Sequence, residues 1–455
     1  MDLKGKKVLV VGLGKTGEAV SHFLLSKGAI VKVSEKKSAQ ELGAKISFWK
    51  EKGITIETGE HRAQSFQEAD LIVPSPGVPP IAPLQKAASN GVKVISEIEL
   101  ASRFLKGKIV GITGSNGKST TATLTYKILK KGGLPAYLAG NIGTPLISFV
   151  QNSQEEDIYV TEVSSFQLQY IEQFKADLAV FLNVSPDHLD WHPSFDAYYQ
   201  AKTKLLTSQT GGGAAILNRD DPLVWDLHSQ LKSKIYAFSQ KKKVNPGCFL
   251  QDQWLTISNC GQQRLIKASQ IPLLGSHNLE NVMASALVGH LFSIPPETIS
   301  NSIKNFKGLE HRLEWVTSIG GVAFYNDSKA TNVEAALKSI QSFKVNIILI
   351  LGGRDKGSNF TKLAKTIQER VKTIILLGEA ALKIKNSLKN IVPTKEVSSL
   401  KEAVKAGFEA AQPGEVVLLA PACTSFDMFN NFEERGRVFK QEVLALKGTV
   451  RKGET

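Results

Sequence analysis

Short runs of β-branched and other apolar residues alternate with helical stretches along almost the whole chain. Near the N-terminus, a strand pattern at Lys7–Val11 leads through a glycine turn into a helical pattern at Gly17–Lys27, and a second strand follows at Ile30–Ser34. Further strands are predicted at Leu71–Pro74 and Val92–Ile95. Because strands that alternate with helices are typical of parallel sheets with crossover helices, the pattern predicts an α/β fold.

A second series of strands and helices follows the first. It opens with the strand Lys108–Thr113, and its next strands end near Glu162 and Asn183. The alternating residues of Cys248–Ser269 predict an appended β-hairpin, ahead of a helix that starts near Ser276.

A third series follows the segment FKGLEHRLE. Its strands are predicted at Val322–Tyr325, Ile347–Leu351, Thr373–Leu377 and Val416–Leu419, with helices between them. At roughly 150 residues per domain, the length of 455 residues also allows about three domains. We therefore predict domains at 1–97, 98–308 and 309–455.

The composition is that of a folded globular chain, with 42% hydrophobic and 22% charged residues. No apolar run approaches the roughly 18 residues that span a bilayer, and no signal-peptide cleavage site precedes the first strand. We expect a soluble, cytoplasmic protein without a membrane partner. The widely spaced Cys248, Cys260 and Cys423 form no CxxC pair, so reduced thiols are expected rather than disulfides or a thiolate metal site.

The chain has 56 basic and 42 acidic residues and a net charge of +14, which favours an anionic partner. The lysines are scattered, and the only pure run is 241–243. Only 7% of the residues are aromatic, so no basic stripe is interleaved with stacking rings. Phosphorylated metabolites are therefore favoured over nucleic acid.

A first glycine loop, Gly12-Leu13-Gly14-Lys15-Thr16-Gly17, lies between a predicted strand and a predicted helix. Glu35 ends the next strand, which completes the fingerprint of a dinucleotide-binding fold. One interpretation is an NAD-dependent enzyme. However, glycines at a helix N-terminus bind any phosphate or pyrophosphate, so the loop alone does not select the ligand.

A second glycine loop, Gly114-Ser115-Asn116-Gly117-Lys118-Ser119-Thr120, also joins a strand to a helix. Its glycines, lysine and hydroxyls predict a triphosphate cradle, in which Lys118 reaches the β- and γ-phosphates and the Ser119 hydroxyl binds magnesium. The loop is shorter than the usual GxxxxGK[ST] pattern, because Ile112 occupies the position of the first glycine.

Acidic residues and a histidine follow two further strands of the second series. Glu162 ends one strand, and Asp187-His188-Leu189-Asp190 follows another. The carboxyl ends of parallel strands meet at the same edge of a sheet, so these residues are expected beside Lys118. The pattern predicts a metal site there, since an acid on a neighbouring strand completes the magnesium shell of P-loop enzymes.

Polar segments follow three strands of the third series. They are DSKATN at 327–332, GGRDKG at 352–357 and PACTSFD at 421–427. Three such segments at one sheet edge predict a binding face in the third domain.

Six segments, in order along all three predicted domains, resemble one known family. They are GITGSNGKST, NVSPDHLDWH, SHNLENVMASA, EHRLE, NDSKATN and LAPACTSFDMFNNFEERG. They resemble the Mur ligases, ATP-dependent amide-bond ligases of peptidoglycan precursor synthesis. The resemblance implies a Rossmann-like UDP-binding domain, a central P-loop ATPase-like domain with a parallel sheet, and a C-terminal Rossmann-like domain for the amino acid.

The third-domain segments NDSKATN and PACTSFDMF are similar to those of the family members that add D-glutamate to UDP-N-acetylmuramoyl-L-alanine. The resemblance therefore implies those two small-molecule substrates, together with ATP and Mg²⁺, and we expect a monomer. The implied chemistry is phosphorylation of the alanyl carboxylate to an acyl phosphate, followed by attack of the D-glutamate amine.

The resemblance also implies roles for individual residues. The implied catalytic residues are Lys118, His188 and Lys202. The implied ATP contacts are Gly114, Ser115, Asn116, Gly117, Lys118, Ser119 and Thr120, with Asn278 and Asn281 towards adenine and Arg312 and Asp327 near the ribose and phosphates. The implied magnesium ligands are Ser119, Glu162, His188 and a carbamylated Lys202. The implied UDP-substrate contacts are Lys15, Thr16, Glu35, Lys36, Ser75, Gly77 and Asn141. The implied D-glutamate contacts are Lys329, Thr331, Lys356, Ser425 and Phe432.

Two other functions remain open from the residues alone. An NAD(P)-dependent oxidoreductase would use the first glycine loop but leaves GSNGKST unexplained. A P-loop nucleotide-dependent binding module would use the second loop but gives no purpose to the polar segments of the third domain.

Overall fold

The computed structural model describes residues 1–189, 191–259 and 261–453. Asp190 and Cys260, which the sequence analysis named, lie outside the described residues. The chain forms two compact units, one of residues 1–271 and 280–304 and the other of residues 272–279 and 305–455. The first unit contains two β-sheets and the second contains one. The predicted α/β class is confirmed, and the domain boundaries at 97 and 308 remain predictions.

The first sheet is fully parallel, in the order β3-β2-β1-β4-β5. Its strands are β1 (Lys7–Val11), β2 (Ile30–Glu35), β3 (Thr55–Thr58), β4 (Leu71–Pro74) and β5 (Lys93–Val94). Its helices are α1 (Lys15–Ser26), α2 (Ala39–Leu42), α3 (Ala44–Glu51), α4 (Ala63–Gln67) and α5 (Ala82–Ser89). In β1 the four residues from Val8 to Val11 are almost fully buried, as expected for a central strand of a parallel sheet.

Helix α6 (Glu97–Ser102) leads into the second sheet, in the order β14-β13-β12-β11-β10-β9-β6-β8-β7. Its strands are β6 (Lys108–Thr113), β7 (Ala136–Gly140), β8 (Ile158–Glu162), β9 (Leu178–Phe181), β10 (Ala214–Asn218), β11 (Lys234–Ser239), β12 (Gly247–Gln251), β13 (Trp254–Ser258) and β14 (Gln262–Lys267). The helices are α7 (Lys118–Lys131), α8 (Ser165–Gln169), α9 (Phe195–Thr207), α10 (Pro222–Asp226), α11 (Ser276–Leu291) and α12 (Pro296–Lys304), with 3-10 turns at Leu146–Asn152, Leu227–Ser229 and Ala268–Gln270.

The hairpin predicted at Cys248–Ser269 is wrong in two respects. The segment contains three strands, β12 to β14, and they pair antiparallel with one another. They also extend the second sheet, because β12 pairs parallel with β11. The hydrophobic alternation indicated strands, but pairing with β11 depends on a distant segment and is not visible in the local pattern.

The third sheet has the order β15-β16-β20-β17-β18-β19 and is parallel except for β15. Its strands are β15 (Glu314–Ile319), β16 (Val322–Asn326), β17 (Ile347–Gly352), β18 (Val371–Leu377), β19 (Thr394–Glu396) and β20 (Val416–Leu419). Its helices are α13 (Val333–Gln341), α14 (Ala364–Arg370), α15 (Ala381–Ser387), α16 (Leu400–Ala410) and α17 (Phe432–Gly453), with a 3-10 turn at Phe360–Leu363.

The sequence pattern missed β3, β7, β15 and β19 at sheet edges and the inner strands β10 and β11, although it predicted the edge strand β5. The two outer strands of the third sheet, β15 and β19, expose much of their length, and β19 has the polar sequence TKE. Edge strands bury little of their surface, so they carry a weak hydrophobic signal.

Among the described residues, no helix is long and apolar enough to cross a membrane.

Candidate functional site

The loop between β1 and α1 forms one wall of a pocket of about 470 Å³ in the first unit. Strand β1 lies between β2 and β4, so the connections after β1 and β4 leave the sheet on opposite sides and open a crevice at the carboxyl edge. All of the predicted UDP-substrate contacts line this pocket: Lys15, Thr16, Glu35, Lys36, Ser75, Gly77 and Asn141. The structure thus brings together side chains that lie up to 126 residues apart in the numbering of the sequence.

Two charged side chains fix the shape of this pocket. The Glu35 carboxylate accepts hydrogen bonds from the backbone N–H groups of Leu13 (2.6 Å) and Lys37 (3.0 Å). The Lys15 ammonium donates to the carbonyl of Gly143, in the loop that follows β7. The carboxylate is therefore bound to the glycine loop, and the lysine connects that loop to the second sheet.

His61 also lines the pocket, and the sequence analysis missed it. Its Nδ1 lies 2.8 Å from the Ser34 hydroxyl, and partial burial lowers the pKa of the imidazole, which favours the neutral form. His61 stands after β3, which the sequence pattern also missed, so no local signal marked it.

The second glycine loop follows β6, which lies between β8 and β9 in the second sheet. Lys118 begins α7 and folds back over the loop, where its Nζ donates to the carbonyls of Gly114 (2.8 Å) and Ser115 (2.9 Å). The backbone of Asn116 is held by Asn183, whose Oδ1 accepts from its N–H (2.9 Å) and whose Nδ2 donates to its carbonyl (3.1 Å). Asn183 is a loop-shaping residue that the sequence analysis did not assign.

Close packing behind the loop requires glycine at position 117. Gly117 has φ of +86°, and a Cβ there would stand 2.1 Å from Asn281 Oδ1. Asn281 Oδ1 also accepts a hydrogen bond from the Thr121 hydroxyl at 3.3 Å. Of the two asparagines predicted near adenine, the structure places Asn281 behind the loop, whereas Asn278 belongs to the second unit and donates to the Leu274 carbonyl at 2.7 Å.

Helix α9 brings a buried amine to the same loop. Lys202 is 1% exposed, and its Nζ donates to the carbonyl of Gly114 at 2.9 Å. Burial lowers the pKa of Lys202 well below its usual value, and the nearby Lys118 ammonium lowers it further, while Asp187 and Glu162 oppose the shift. Tyr198 lies one helical turn earlier, and its hydroxyl is 2.9 Å from the Ser115 hydroxyl. The sequence analysis missed this contact of Tyr198.

Glu162 ends β8 beside the loop and is 3% exposed. Its Oε1 accepts a hydrogen bond from Asn141 Nδ2 at 3.2 Å. Its Oε2 is buried and has no hydrogen-bond partner among the described residues. A buried carboxylate oxygen of this kind beside a phosphate loop fits a hard cation such as Mg²⁺.

The other predicted metal ligands differ in exposure. Ser119 is buried in the first turn of α7, whereas the His188 side chain is 45% exposed and its Nε2 lies 3.6 Å from Asp187 Oδ2. The described residues contain no group of three His, Cys, Asp or Glu side chains arranged to hold a metal. Among the predicted ligands, Glu162 and Ser119 supply the oxygen donors that Mg²⁺ prefers and His188 supplies a nitrogen, and an ammonium at Lys202 would oppose the cation unless its charge changed.

In the second unit, Asp327 follows β16 and is buried. Burial raises the pKa of Asp327 to about 6. Hydrogen bonds from Ser339 Oγ and the Leu313 N–H, together with the charge of Arg312, oppose this rise. The structure therefore places the two predicted ribose and phosphate contacts, Arg312 and Asp327, within electrostatic range of each other.

The predicted D-glutamate contacts follow neighbouring strands of the third sheet. Lys329 follows β16, and its Nζ lies 3.9 Å from the centroid of the Phe432 ring. Ser425 follows β20 and is buried, and Lys356 is exposed in the loop after β17. Thr331 is half-buried just before α13. Because β16, β20 and β17 are adjacent and parallel, these segments share one carboxyl edge.

Arg435 on α17 holds this edge together. It is 2% exposed and donates from Nε to the Ser328 hydroxyl (2.9 Å) and from Nη2 to the carbonyls of Ser328 (2.9 Å) and Cys423 (3.2 Å). A third nitrogen, Nη1, donates to the Thr424 carbonyl at 3.2 Å. Arg435 belongs to the quoted segment FEERG, but the sequence did not show that its guanidinium joins two loops.

Comparison with known protein families covers most of the chain. The Mur ligase MurD-like N-terminal domain matches residues 6–96, the Mur ligase middle domain matches residues 112–289, and the Mur ligase glutamate ligase domain matches residues 311–423. The chain is 45% identical to the UDP-N-acetylmuramoylalanine--D-glutamate ligase of Koribacter versatilis, over 97% of this chain and 98% of that protein. It is 46% identical to the protein of the same name from Acidobacterium capsulatum, over 99% and 98% of the two chains.

Solved structures show the same fold at lower identity. UDP-N-acetylmuramate-alanine ligase MurC from Thermotoga maritima superposes with a TM-score of 0.60 at 17% identity, covering 97% of this chain and 100% of that one. MurF ligase from Thermotoga maritima, solved in complex with ADP, superposes with a TM-score of 0.59 at 16% identity, covering 98% and 96%. The domain matches, the near-full-length identities and the shared fold show that this chain belongs to the Mur ligase family.

Proposed function

We propose that this protein is the ATP-dependent ligase that joins D-glutamate to UDP-N-acetylmuramoyl-L-alanine during peptidoglycan precursor synthesis. The observation that carries the proposal is the identity of 45–46% with ligases of that name over nearly the full length of both chains. The geometry supports it, because a phosphate loop and a separate pocket lie at the switch points of two adjoining sheets in the first unit.

The first step joins two anions, since the alanyl carboxylate attacks the γ-phosphate of ATP to form an acyl phosphate and ADP. Lys118 is the residue of the chain best placed to offset the charge, because its ammonium already lies over the loop carbonyls. Residues 114–120 supply the backbone N–H groups of a helix N-terminus for the phosphates. Holding the reactants in line and neutralising charge is most of what such a site contributes.

Magnesium, when bound, would neutralise phosphate charge and orient the γ-phosphate. The proposed ligands are Ser119, Glu162, His188 and Lys202, the last as a carbamate. The carbamate is an anion with two oxygens, so it reverses the unfavourable charge of the amine. A neutral amine reacts with CO₂, and the lowered pKa of Lys202 favours that neutral form.

The pocket of the first sheet is the proposed site for the UDP part of the substrate. Helix α1 directs its N-terminus towards this pocket, which suits a pyrophosphate. The Lys15 and Lys36 side chains contribute positive charge, and Ser75, Gly77 and Asn141 also line the pocket.

The second step is the attack of the D-glutamate amine on the acyl carbon, and phosphate leaves from a tetrahedral intermediate. The proposed D-glutamate contacts are Lys329, Thr331, Lys356, Ser425 and Phe432. Two ammonium groups at one sheet edge suit a ligand with two carboxylates. Asn278, Asn281, Arg312 and Asp327 are proposed for the adenosine part of ATP.

We further propose that the enzyme acts in the cytoplasm as a monomer on small-molecule substrates. The nucleotide-linked substrate and ATP are both metabolites of that compartment.

A phosphate-release assay tests this function against the alternatives. We expect release of inorganic phosphate only when ATP, UDP-N-acetylmuramoyl-L-alanine and D-glutamate are all present, and little release with other amino acids in a panel that includes L-glutamate. Calorimetric titration of the first pocket completes the test. Tight NADH binding with no response to the UDP substrate would instead support an oxidoreductase, and phosphate release that ignores the amino acid would support a nucleotide-dependent binding module.

A further inference from the structure

Trp191 has no role in the function proposed above, yet it lies within a group of stacked rings beside the phosphate loop. Its ring stacks on Phe166 of α8, with centroids 3.9 Å apart and planes 29° apart. Phe166 in turn contacts the His188 ring in a T-shaped arrangement, with centroids 4.8 Å apart. The His188 ring is also 6.3 Å from that of Tyr198. Trp191 thus reaches the proposed magnesium ligand His188 through a single intervening ring.

The backbone at His188 has an unusual conformation. Its φ is +53°, in the left-handed region that residues other than glycine seldom adopt. The carbonyl of His188 accepts hydrogen bonds from the N–H groups of Trp191 (3.0 Å) and His192 (2.9 Å), which closes a tight turn. Such a conformation persists only where surrounding contacts enforce it. The turn is therefore stabilised by the contacts that its own side chains make.

Two of those side chains, Trp191 and His192, contact helix α8. Trp191 Nε1 donates to Gln169 Oε1 at 3.4 Å, and His192 Nε2 lies 3.0 Å from the Ser165 hydroxyl. Helix α8 begins three residues after Glu162, and Ser164 caps it together with Gln167 in a reciprocal capping box. The turn at His188 is thus attached to a short helix that continues from the Glu162 strand.

The exposure of His188 shows why the stack matters. About half of the side chain is open to solvent, so the orientation of the imidazole depends on the rings packed against its covered part, which include Phe166 and Tyr198. Phe166 contacts His188 in a T-shaped arrangement, and its own ring stacks with Trp191 at 3.9 Å and with His192 at 5.8 Å between centroids. Loss of the indole would remove the nearer of these two stacked rings, so Phe166 could shift towards the vacated space and take the packing of His188 with it.

We infer that Trp191 is a positioning residue, whose indole packs on Phe166 and thereby fixes the orientation of the His188 imidazole relative to Glu162 and the phosphate loop. The inference rests on the proposed function, in which His188 is a magnesium ligand. It adds a residue that itself touches neither ATP nor the metal.

Histidine NMR on the metal-free, ligand-free protein gives a readout independent of catalysis. With ring-labelled histidine, the His188 signal is identified by its loss in His188→Gln. We expect Trp191→Leu to shift or broaden that signal and Trp191→Phe to change it less, because the smaller ring can still stack on Phe166. Trp225→Leu is the matched control: Trp225 stacks on His228 with centroids 4.4 Å apart, so this variant should move the His228 signal and leave His188 unchanged.

Steady-state kinetics give the second readout. We expect Trp191→Leu to lower kcat about tenfold and to raise the Mg²⁺ concentration for half-maximal activity, with KM for D-glutamate little changed, since a small misplacement of a reacting group is costly. Trp191→Phe should recover most of kcat, and Trp225→Leu should match the wild type.

An unchanged His188 signal in Trp191→Leu would overturn the inference, as would a kcat within twofold of wild type in that variant. A rise in KM for the UDP substrate alone would also overturn it, because the indole would then act on the substrate. If Trp191→Leu does not fold, Trp191→Met, which also lacks a ring but fills more of the space, takes its place with the same expected and contradicting results. Failure of the proposed function is a separate result, since the wild-type protein would then release no phosphate while the NMR comparison still reports on the stack.

Discussion

The two glycine loops of the first unit have the same local plan and different surroundings. Residues 12–17 follow β1 and residues 114–120 follow β6, and each strand is central in its sheet and leads into a helix. Both loops therefore present backbone N–H groups at a helix N-terminus, which suits phosphate. The side chains around the loops differ in charge and direction.

At the first loop, the lysine points away from the turn. Lys15 donates to Gly143, and the Glu35 carboxylate, which also lines the pocket, accepts hydrogen bonds from two backbone N–H groups. The surrounding pocket is open enough for a ligand that extends beyond its phosphates. At the second loop, Lys118 and Lys202 both donate to the carbonyl of Gly114, and Glu162 presents a buried oxygen without a partner among the described residues.

This difference shows that the glycine spacing of a loop indicates phosphate binding, but not whether a phosphate is transferred there. A pyrophosphate that is bound without reacting requires only backbone N–H groups and moderate positive charge. A γ-phosphate that is transferred requires charge neutralisation at the reacting atoms, which Lys118 supplies at the second loop in the proposed function. Three substitutions test this distinction.

Replacement of the loop lysines separates the two sites most strongly. Lys118→Ala should lower phosphate release by about 10²–10³-fold, because it removes the ammonium that offsets the developing charge. Binding of the UDP substrate, measured by calorimetry, should remain within a few-fold of wild type. Lys15→Ala is the matched control and should weaken UDP-substrate binding while the catalysed step survives. Turnover of Lys118→Ala near the wild-type rate would show that residues 114–120 do not hold the transferred phosphate.

Lys202 tests the charge arrangement of the second loop. Lys202→Ala should lose activity by about a hundredfold, and millimolar formate or acetate should restore part of it by supplying the missing carboxylate. Mass spectrometry at mild pH should find CO₂ on Lys202 of the wild type. Lys204 is the control, because it lies on the same helix and donates to the Gln169 carbonyl instead, so Lys204→Ala should need no rescue. Full activity of Lys202→Ala in bicarbonate-free buffer contradicts a carbamate.

The first loop is tested by its close packing. A Cβ at Gly17 would stand 1.9 Å from the carbonyl oxygen of Gly12, whereas one at Gly14 would meet nothing within 4 Å. Gly17→Ala should therefore lower the free energy of unfolding by about 1–3 kcal/mol and weaken UDP-substrate binding. Gly14→Ala should change stability by less than about 0.5 kcal/mol. Denaturant titration measures both, and equal effects of the two substitutions would mean that the Gly12–Gly17 contact does not shape the loop.

Much of the fold was predictable because parallel α/β units repeat a strong local signal. The strands Lys7–Val11, Leu71–Pro74, Lys108–Thr113 and Val416–Leu419 have the predicted bounds. Central strands are buried on both faces, so their sequences are almost wholly apolar. Four of the edge strands, β3, β7, β15 and β19, and the pairing of β12 with β11 were missed, because exposure and long-range pairing leave little mark on a local sequence.

For the candidate sites, prediction succeeded where a motif contains the functional atoms and failed where the atoms come from elsewhere. The strand-loop-helix arrangement at residues 114–120 could be predicted from its own spacing. The contacts of His61, Asn183 and Arg435 could not, because each contacts a segment at least 11 residues away in sequence.

The sequence by itself determined the α/β class, the two glycine loops and the family, because these depend on local periodicity and on residue types at short spacing. Only the tertiary structure decided that Lys118 and Lys202 meet at one carbonyl, that Glu162 keeps a buried oxygen without a hydrogen bond among the described residues, and that Trp191 stacks on Phe166, which contacts His188. Burial and electrostatic coupling arise from packing between distant segments. They are properties of the assembled sheet edge, and no single stretch of the chain contains them.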